Sequence, residues 1–222
     1  MLIENNIIKD YLKNCYFIIG TAYAGKSTMC AMLAARYGMV HCGENYNMDR
    51  ILEISTEENQ PNLSYFRTKE SWQAYLGRPP EEFERWFHAN EEELAGFEVA
   101  ELLRLSSGRR VIVDTNIPCR LLREISDYQH VAVMLSPQSL AVERFFDRDD
   151  PEKQFLLSEI QKSPEPRKLY ENFLACIARV NSRENYDAFL NSGFFTLVRE
   201  GGGADTREET LRALAVHFGL EA

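Results

Sequence analysis

The sequence lacks the features that mark secreted, membrane-spanning and zinc-binding proteins. It has five cysteines in 222 residues, an odd number without a Cys-x-x-Cys pair, which argues against a disulfide framework and a zinc site. No run approaches the roughly 18 to 20 apolar residues that cross a bilayer. Residues 1–14 have neither a basic start nor a sustained apolar segment. We therefore expect a protein of the reducing cytoplasm with no membrane partner.

Basic residues are scarce relative to acidic ones. The chain has 25 Lys and Arg against 34 Asp and Glu, which gives a net charge of −9. Binding to nucleic acid without sequence preference needs clustered cations, so we expect no nucleic-acid partner, although a local basic groove stays open. Hydrophobic residues make up 45% of the chain, enough for a sizeable core. The length predicts a single domain over residues 1–222.

Short apolar runs alternate with segments that favour helix. Three of these runs are typical of buried strands, and two weaker ones are also strand candidates. Such alternation predicts an α/β fold with a parallel sheet and helices on both faces. The predicted strands are, in chain order, 15–20, 39–43, 110–115, 130–136 and 194–200.

Two long segments interrupt this alternation. Residues 44–92 are polar at their ends but rich in aromatic side chains, and residues 147–168 are rich in charge and contain three prolines. No linker is long enough to separate independent domains, so both segments are predicted to be insertions on one core. A helical segment needs its own core, which favours a packing role for the aromatic residues.

The sharpest signal is a match to G-x-x-x-x-G-K-[ST] between a predicted strand and a predicted helix. Two glycines let the backbone curl so that its N–H groups point at phosphate oxygens, aided by the dipole of the following helix. Thr28 is predicted to contact the α-phosphate region. The motif consists of Gly20, Thr21, Ala22, Tyr23, Ala24, Gly25, Lys26 and Ser27.

The motif predicts a nucleotide site with a metal ion. Lys26 is expected on the β- and γ-phosphates, and Ser27 is expected to bind Mg²⁺. Asp114 ends a predicted strand, where a carboxylate would orient the metal and its waters, although a strand-end cap is the alternative. The chain has no N-K-x-D element, which GTPases use to read guanine, so ATP is the expected nucleotide.

On these residues the chain resembles the P-loop small-molecule kinases, which include nucleoside-monophosphate, shikimate and gluconate kinases. The specific match covers residues 20–28, with weaker matches at 111–116 and 144–148. The resemblance implies a P-loop NTPase three-layer sandwich whose five strands follow the order 2-3-1-4-5. It also implies transfer of the γ-phosphoryl group of Mg·ATP to a small metabolite, through an acceptor lobe at 44–92 and a lid at 147–168.

The resemblance also implies further site residues. In that family a helix carries arginines and leads into a lid that closes over the phosphates. The matching helix here is expected to start at Ser136 and Pro137 and to carry Arg144 and Arg148, four apart, on one face. A solvated surface charge is the alternative for each arginine. The acceptor side is expected to involve Glu44, Asp49, Arg67, Asn116 and Arg167.

Several alternatives remain open at this level. Glu44 or Asp49 could accept a proton, position the acceptor or serve a structural role. The protein could also bind ATP in a regulatory role without fast turnover, or phosphorylate a macromolecule or an antibiotic-like compound, because one fold hosts many functions. The acceptor and the oligomeric state are not readable from the sequence.

Overall fold

Five strands form a single parallel sheet in the computed structural model, which describes residues 3–147, 151–199 and 205–221. The strand order is β2-β3-β1-β4-β5, and every neighbouring pair is parallel. All five strands occur where they were predicted, and the predicted order is confirmed. They are β1 (Cys15–Gly20), β2 (Val40–Cys42), β3 (Val111–Asp114), β4 (Val131–Leu135) and β5 (Phe195–Val198).

Helices connect the strands and cover both faces of the sheet. No helix in the described ranges has the length and apolar character needed to cross a membrane. In chain order the helices are α1 (Asn5–Tyr11), α2 (Lys26–Tyr37), α3 (Met48–Ile54), α4 (Pro61–Thr68), α5 (Trp72–Leu76), α6 (Pro80–Leu105), α7 (Cys119–Ile125), α8 (Gln138–Glu143), α9 (Pro151–Gln161), α10 (Pro166–Val180), α11 (Arg183–Leu190) and α12 (Arg207–His217).

The strands bury side chains on both faces, as their unbroken apolar sequences require. Phe17 and Ile19 point to one face, where helices α1, α6, α7 and α11 cover them. Tyr16 and Ile18 point to the other face, where α2 and α12 pack. This alternation of period two builds two cores, one on each side of the sheet. The predicted three-layer sandwich is therefore confirmed.

The two predicted insertions share a third hydrophobic core. Tyr75, Phe83 and Trp86 come from the first segment, whereas Ile160 comes from the second, and all four side chains are buried in one cluster with Phe173 of α10. We call helices α3, α4, α5, α8, α9 and α10, with the first half of α6, the helical lobe. The aromatic residues of this lobe form its core, as the sequence favours.

Helix α6 joins the lobe to the sheet. It has 26 residues, which corresponds to a length of about 39 Å. Its first half contributes Phe83 and Trp86 to the lobe core, and its second half contributes Ala95 and Leu102 to the core against the sheet. The predicted insertion boundary at residue 92 therefore lies inside one continuous helix.

The helix expected to carry Arg144 and Arg148 on one face is shorter than predicted. Helix α8 ends at Glu143, and Arg144 is its exposed C-cap residue. The chain turns there because Phe145 and Phe146 pack on the lobe core, with the Phe145 ring 5.6 Å from that of Phe173. Arg148 lies outside the described residues.

The five cysteines are free thiols within the folded core or its edge. Burial raises the pKa of the Cys15 thiol to about 12 and that of Cys42 to about 11. Burial also raises the pKa of Cys119 and Cys176 to about 11, and that of Cys30 well above its usual range. These thiols are thus poor nucleophiles at neutral pH.

The approach of β1 to β4 at Gly20 is too close for any other residue. A Cβ atom on Gly20 would lie 1.9 Å from the carbonyl oxygen of Met134, and the Gly20 φ of 138° also disfavours a side chain. The first glycine of the motif is therefore required by the sheet itself.

We expect Gly20→Ala to lower the free energy of unfolding by at least about 2 kcal/mol, because steric overlap and backbone strain each cost about 1–3 kcal/mol. Urea denaturation followed by circular dichroism measures the change. The control is Gly96→Ala in α6, where a Cβ meets no atom within 4 Å. This control should gain about 0.5–1 kcal/mol, since alanine favours helix. Equal stability of Gly20→Ala and wild type would contradict the steric argument.

Candidate active site

The glycine-rich loop lies at the carboxyl edge of the sheet and leads directly into α2. Gly25 is the N-cap of this helix, with a φ of 91°, and Tyr23 also has a positive φ of 64°. The first N–H groups of a helix have no partner within it, and its dipole places positive charge at the same end. The loop therefore presents an anion-binding surface of the kind that holds nucleotide phosphates.

Three predicted residues come together at the start of α2. The Ser27 hydroxyl donates to Asp114 Oδ2 over 2.6 Å, and Lys26 Nζ lies 3.9 Å from Asp114 Oδ1. Lys26 also donates to the carbonyl oxygen of Thr21 over 3.4 Å. Register explains this meeting, because Asp114 pairs with Ile18 in the sheet, two residues before the loop begins.

The Asp114 carboxyl group is buried and only partly satisfied. Its Oδ1 atom has no hydrogen-bond partner among the described residues, and the residue is 2% exposed. Burial raises the pKa of Asp114, while the Lys26 charge and the Ser27 hydrogen bond oppose that rise. This carboxylate can therefore bind a further cation.

The residues present fit a magnesium ion bound together with a nucleotide. No group of three or more His, Cys, Asp and Glu side chains in the described ranges is arranged to hold a metal. Mg²⁺ usually takes one or two protein oxygens and fills its other positions with water and phosphate oxygens. Ser27 Oγ and the Asp114 carboxylate supply such a pair, and the ion would neutralise phosphate charge beside Lys26.

Two residues that hold the loop in place were missed from the sequence. Ser136 directly follows β4; its N–H donates to Thr21 Oγ1 over 2.8 Å, and its hydroxyl donates to the Ala22 carbonyl over 2.6 Å. Arg199, after β5, donates from Nη1 to the Tyr23 carbonyl over 3.0 Å. Their positions directly after strands were the available signal, since those positions converge at this edge of the sheet.

A small pocket lies beside Asp114, and no residue of the glycine-rich loop lines it. It encloses about 10 Å³, which is room for one water-sized group. Glu98, in the second half of α6, is buried in its wall and was also missed from the sequence. Glu98 lies on the face of α6 that packs inward, where an amphipathic helix normally carries apolar residues. The helical period of α6 therefore does not predict a carboxyl group at this position. The lining residues are Asn45, Tyr46, Ile51, Leu94, Glu98, Asp114 and Asn116.

The predicted acceptor residues divide into two groups. Asn116 lines the pocket and donates from Nδ2 to Glu44 Oε1 over 3.1 Å. Asp49 lies in the exposed first turn of α3, and Arg67 donates to the carbonyl oxygen of Ser55 over 2.6 Å. Arg167 is 91% exposed and pairs with Glu171. Asp49, Arg67 and Arg167 do not line the pocket, nor does the exposed Arg144.

Comparisons with known proteins found one distant structural likeness and no match in sequence. No family model matches the chain, and no curated protein sequence matches it. Among solved structures the chain is similar to dephospho-CoA kinase from Campylobacter jejuni. The two are 18% identical with a TM-score of 0.44, over 93% of this chain and 98% of that one. The strand order and the position of the loop establish the P-loop fold independently of this distant likeness.

We expect Asp114→Asn to weaken binding of Mg·ADP by about 10-fold or more, because the neutral amide is a poorer ligand for a hard cation. Binding of ADP in the presence of a chelator should change much less. Isothermal titration calorimetry with and without Mg²⁺ separates the two effects. The control is Asp127→Asn. Asp127 precedes β4, at the amino edge of the sheet, and forms an ion pair with Lys9. Equal losses with and without Mg²⁺ would contradict the metal assignment.

Glu98 should make stability depend on pH. Burial raises the pKa of Glu98 from 4.5 to about 7, so between these values the folded protein holds a proton that the unfolded chain releases. The free energy of unfolding should therefore fall as pH rises through this range. Glu98→Gln cannot ionise and should become more stable relative to wild type between pH 5 and pH 8. Urea denaturation at both pH values measures this, and parallel profiles for the two proteins would disprove it.

Proposed function

We propose that this protein is a Mg·ATP-dependent kinase that transfers the γ-phosphoryl group to a small metabolite. The contact of Lys26 and Ser27 with Asp114, beside a pocket at the same sheet edge, carries this proposal. A site for phosphates and a site for a second group thus share one carboxylate. That arrangement suits direct transfer between two bound molecules, in which positioning and charge stabilisation supply most of the catalysis.

Each residue has a distinct role in the proposed reaction. The amides of the loop and Lys26 bind the phosphates, with Thr28 near the α-phosphate, while Ser27 and Asp114 hold the metal. An acceptor oxygen or nitrogen bonds to the γ-phosphorus as the bond from phosphorus to the bridging oxygen breaks. The electron pair stays with ADP, and the acceptor releases a proton. Asn116 and Glu44, which are hydrogen-bonded to each other, flank the acceptor side.

The helical lobe is proposed to control access to this site. The acceptor lobe (44–92) and the lid (147–168) predicted from the sequence are packed on one core, so the proposal treats them as a single moving unit. Closure would exclude water and direct the phosphoryl group to the acceptor rather than to hydrolysis. Arg144 and Arg148 remain the proposed lid arginines, and the site of action is proposed to be the cytoplasm.

The decisive experiment measures ADP release from Mg·ATP with and without fractions of a small-metabolite extract. A fraction that raises turnover well above the intrinsic rate supports the kinase and provides a route to its acceptor. Lys26→Ala should lose acceptor-dependent turnover by about 100-fold or more, because a cation on the transferring phosphoryl group is removed. It should also weaken ATP binding.

Lys13→Ala is the matched control, since Lys13 is exposed and pairs with Asp10 far from the loop. It should keep wild-type turnover and wild-type ATP affinity. Full activity of Lys26→Ala would refute the site assignment. Tight ATP binding with slow hydrolysis in every fraction would instead favour a regulatory nucleotide-binding protein or a macromolecular acceptor.

A further inference from the structure

Glu98 is the one buried carboxylate of the pocket that the nucleotide and metal sites do not use. It is 7% exposed and lies on α6 where that helix passes the carboxyl edge of the sheet. The Tyr46 hydroxyl donates to the main-chain oxygen of Glu98, not to its carboxyl group. Burying a carboxyl group is costly unless hydrogen bonds or charges compensate it. A group that donates a hydrogen bond to the Glu98 carboxyl group would compensate this cost.

The Glu98 carboxyl group is only half satisfied by the protein. The Thr115 hydroxyl hydrogen-bonds to it. The Ile117 N–H donates to the oxygen of that hydroxyl over 2.9 Å, so the hydroxyl can donate its own proton to Glu98. The second oxygen, Oε1, has no hydrogen-bond partner among the described residues. A donor group that enters the pocket can satisfy this oxygen.

Asp114 faces the same pocket from the end of β3. Its Oδ1 atom is likewise without a hydrogen-bond partner within the described ranges. The cavity between the two carboxyl groups has room for about one water-sized group. One hydroxyl or amino group of an acceptor therefore fits between Glu98 and Asp114, on the pocket side of the residues that bind phosphate.

The charges around the pocket disfavour an anionic group in that position. No lysine or arginine is among the lining residues, whereas Glu98 and Asp114 are. Recognition of a phosphate ester needs arginine or lysine donors. Lys26 Nζ lies 3.9 Å from Asp114 Oδ1, but Lys26 does not line the pocket, and the proposed function assigns it to the phosphates of the nucleotide. Two carboxyl groups can both accept hydrogen bonds from a hydroxyl or an ammonium group.

We propose that Glu98 binds the acceptor and selects one whose reacting end is an uncharged or cationic hydroxyl or amine, rather than a phosphate ester. This inference rests on the proposed kinase function, which it extends to a substrate class. Polyols, sugars, amino alcohols and amino sugars belong to this class. Nucleoside monophosphates and sugar phosphates that present their phosphate to the pocket do not.

The test compares two compound panels in the ADP-release assay with full-length protein. One panel contains polyols, neutral sugars, amino alcohols and amino sugars, and the other contains nucleoside monophosphates and sugar phosphates. We expect acceptor-dependent turnover from the first panel. For an active compound, Glu98→Gln should raise the acceptor KM by about 10-fold or more, because an amide presents one acceptor oxygen where the carboxylate has two. The KM for ATP should stay close to that of wild type.

Glu101→Gln is the matched control. Glu101 lies one turn further along α6 and hydrogen-bonds to Arg104 on the surface side of the helix. It should keep wild-type KM values for both substrates. A Glu98 carboxyl group that served only to hold α6 would change stability without a selective effect on the acceptor KM, and that result would overturn the proposal.

A second readout separates this proposal from the kinase function. Binding of the first panel is measured by calorimetry with a non-hydrolysable ATP analogue and Mg²⁺ present. Turnover only with the phosphate esters overturns the acceptor class and leaves the kinase function intact. Glu98-dependent binding without turnover supports the acceptor site and contradicts the kinase function. If the compounds of the first panel show no binding and no turnover, the acceptor assignment is overturned, whatever the ATP affinity of the loop.

Discussion

The close packing of β1 against β4 at Gly20 determines the path of the glycine-rich loop. The chain can leave β1 beside the Met134 carbonyl only without a side chain, and it then turns back over the sheet edge. That path brings Thr21 and Ala22 beside Ser136, which binds both of them. It also starts α2 where Lys26 and Ser27 reach Asp114. The shape of the loop and the meeting of Lys26 and Ser27 with Asp114 thus depend on one contact between two strands.

The molecule consists of two packing units. One unit is the sheet with its flanking helices, and the other is the helical lobe with its aromatic core. Apolar burial stabilises each unit internally. Glu98 and Asp114 line one pocket, and each has an oxygen without a hydrogen-bond partner among the described residues. In enzymes, perturbed carboxyl groups of this kind concentrate where substrates bind.

The sequence predicted the elements that depend on local pattern and missed those that depend on packing. Strand positions and the loop residues followed from apolar runs and one spaced motif, because these signals lie in contiguous residues, whereas the strand order was implied by the resemblance to the P-loop small-molecule kinases. Glu98 was missed, because its pocket is formed by residues from distant parts of the chain. The end of α8 at Glu143 was also missed, since the burial of Phe145 in the lobe outweighs continuation of the helix. Lobe and lid were expected as separate insertions, and only the folded chain reveals their common core.

The continuity of α6 has a mechanical consequence. Trp86 anchors this helix in the lobe, and Glu98 follows twelve residues later, about 18 Å along the same axis. A helix without a break transmits rotation as a rigid rod does, so a tilt of about 10° between lobe and sheet displaces one end by about 3 Å relative to the other. Ala95 and Leu102 hold the part of α6 around Glu98 against the sheet. The proposed closure of the lobe would therefore either bend α6 between Trp86 and Ala95 or shift Glu98 relative to Asp114.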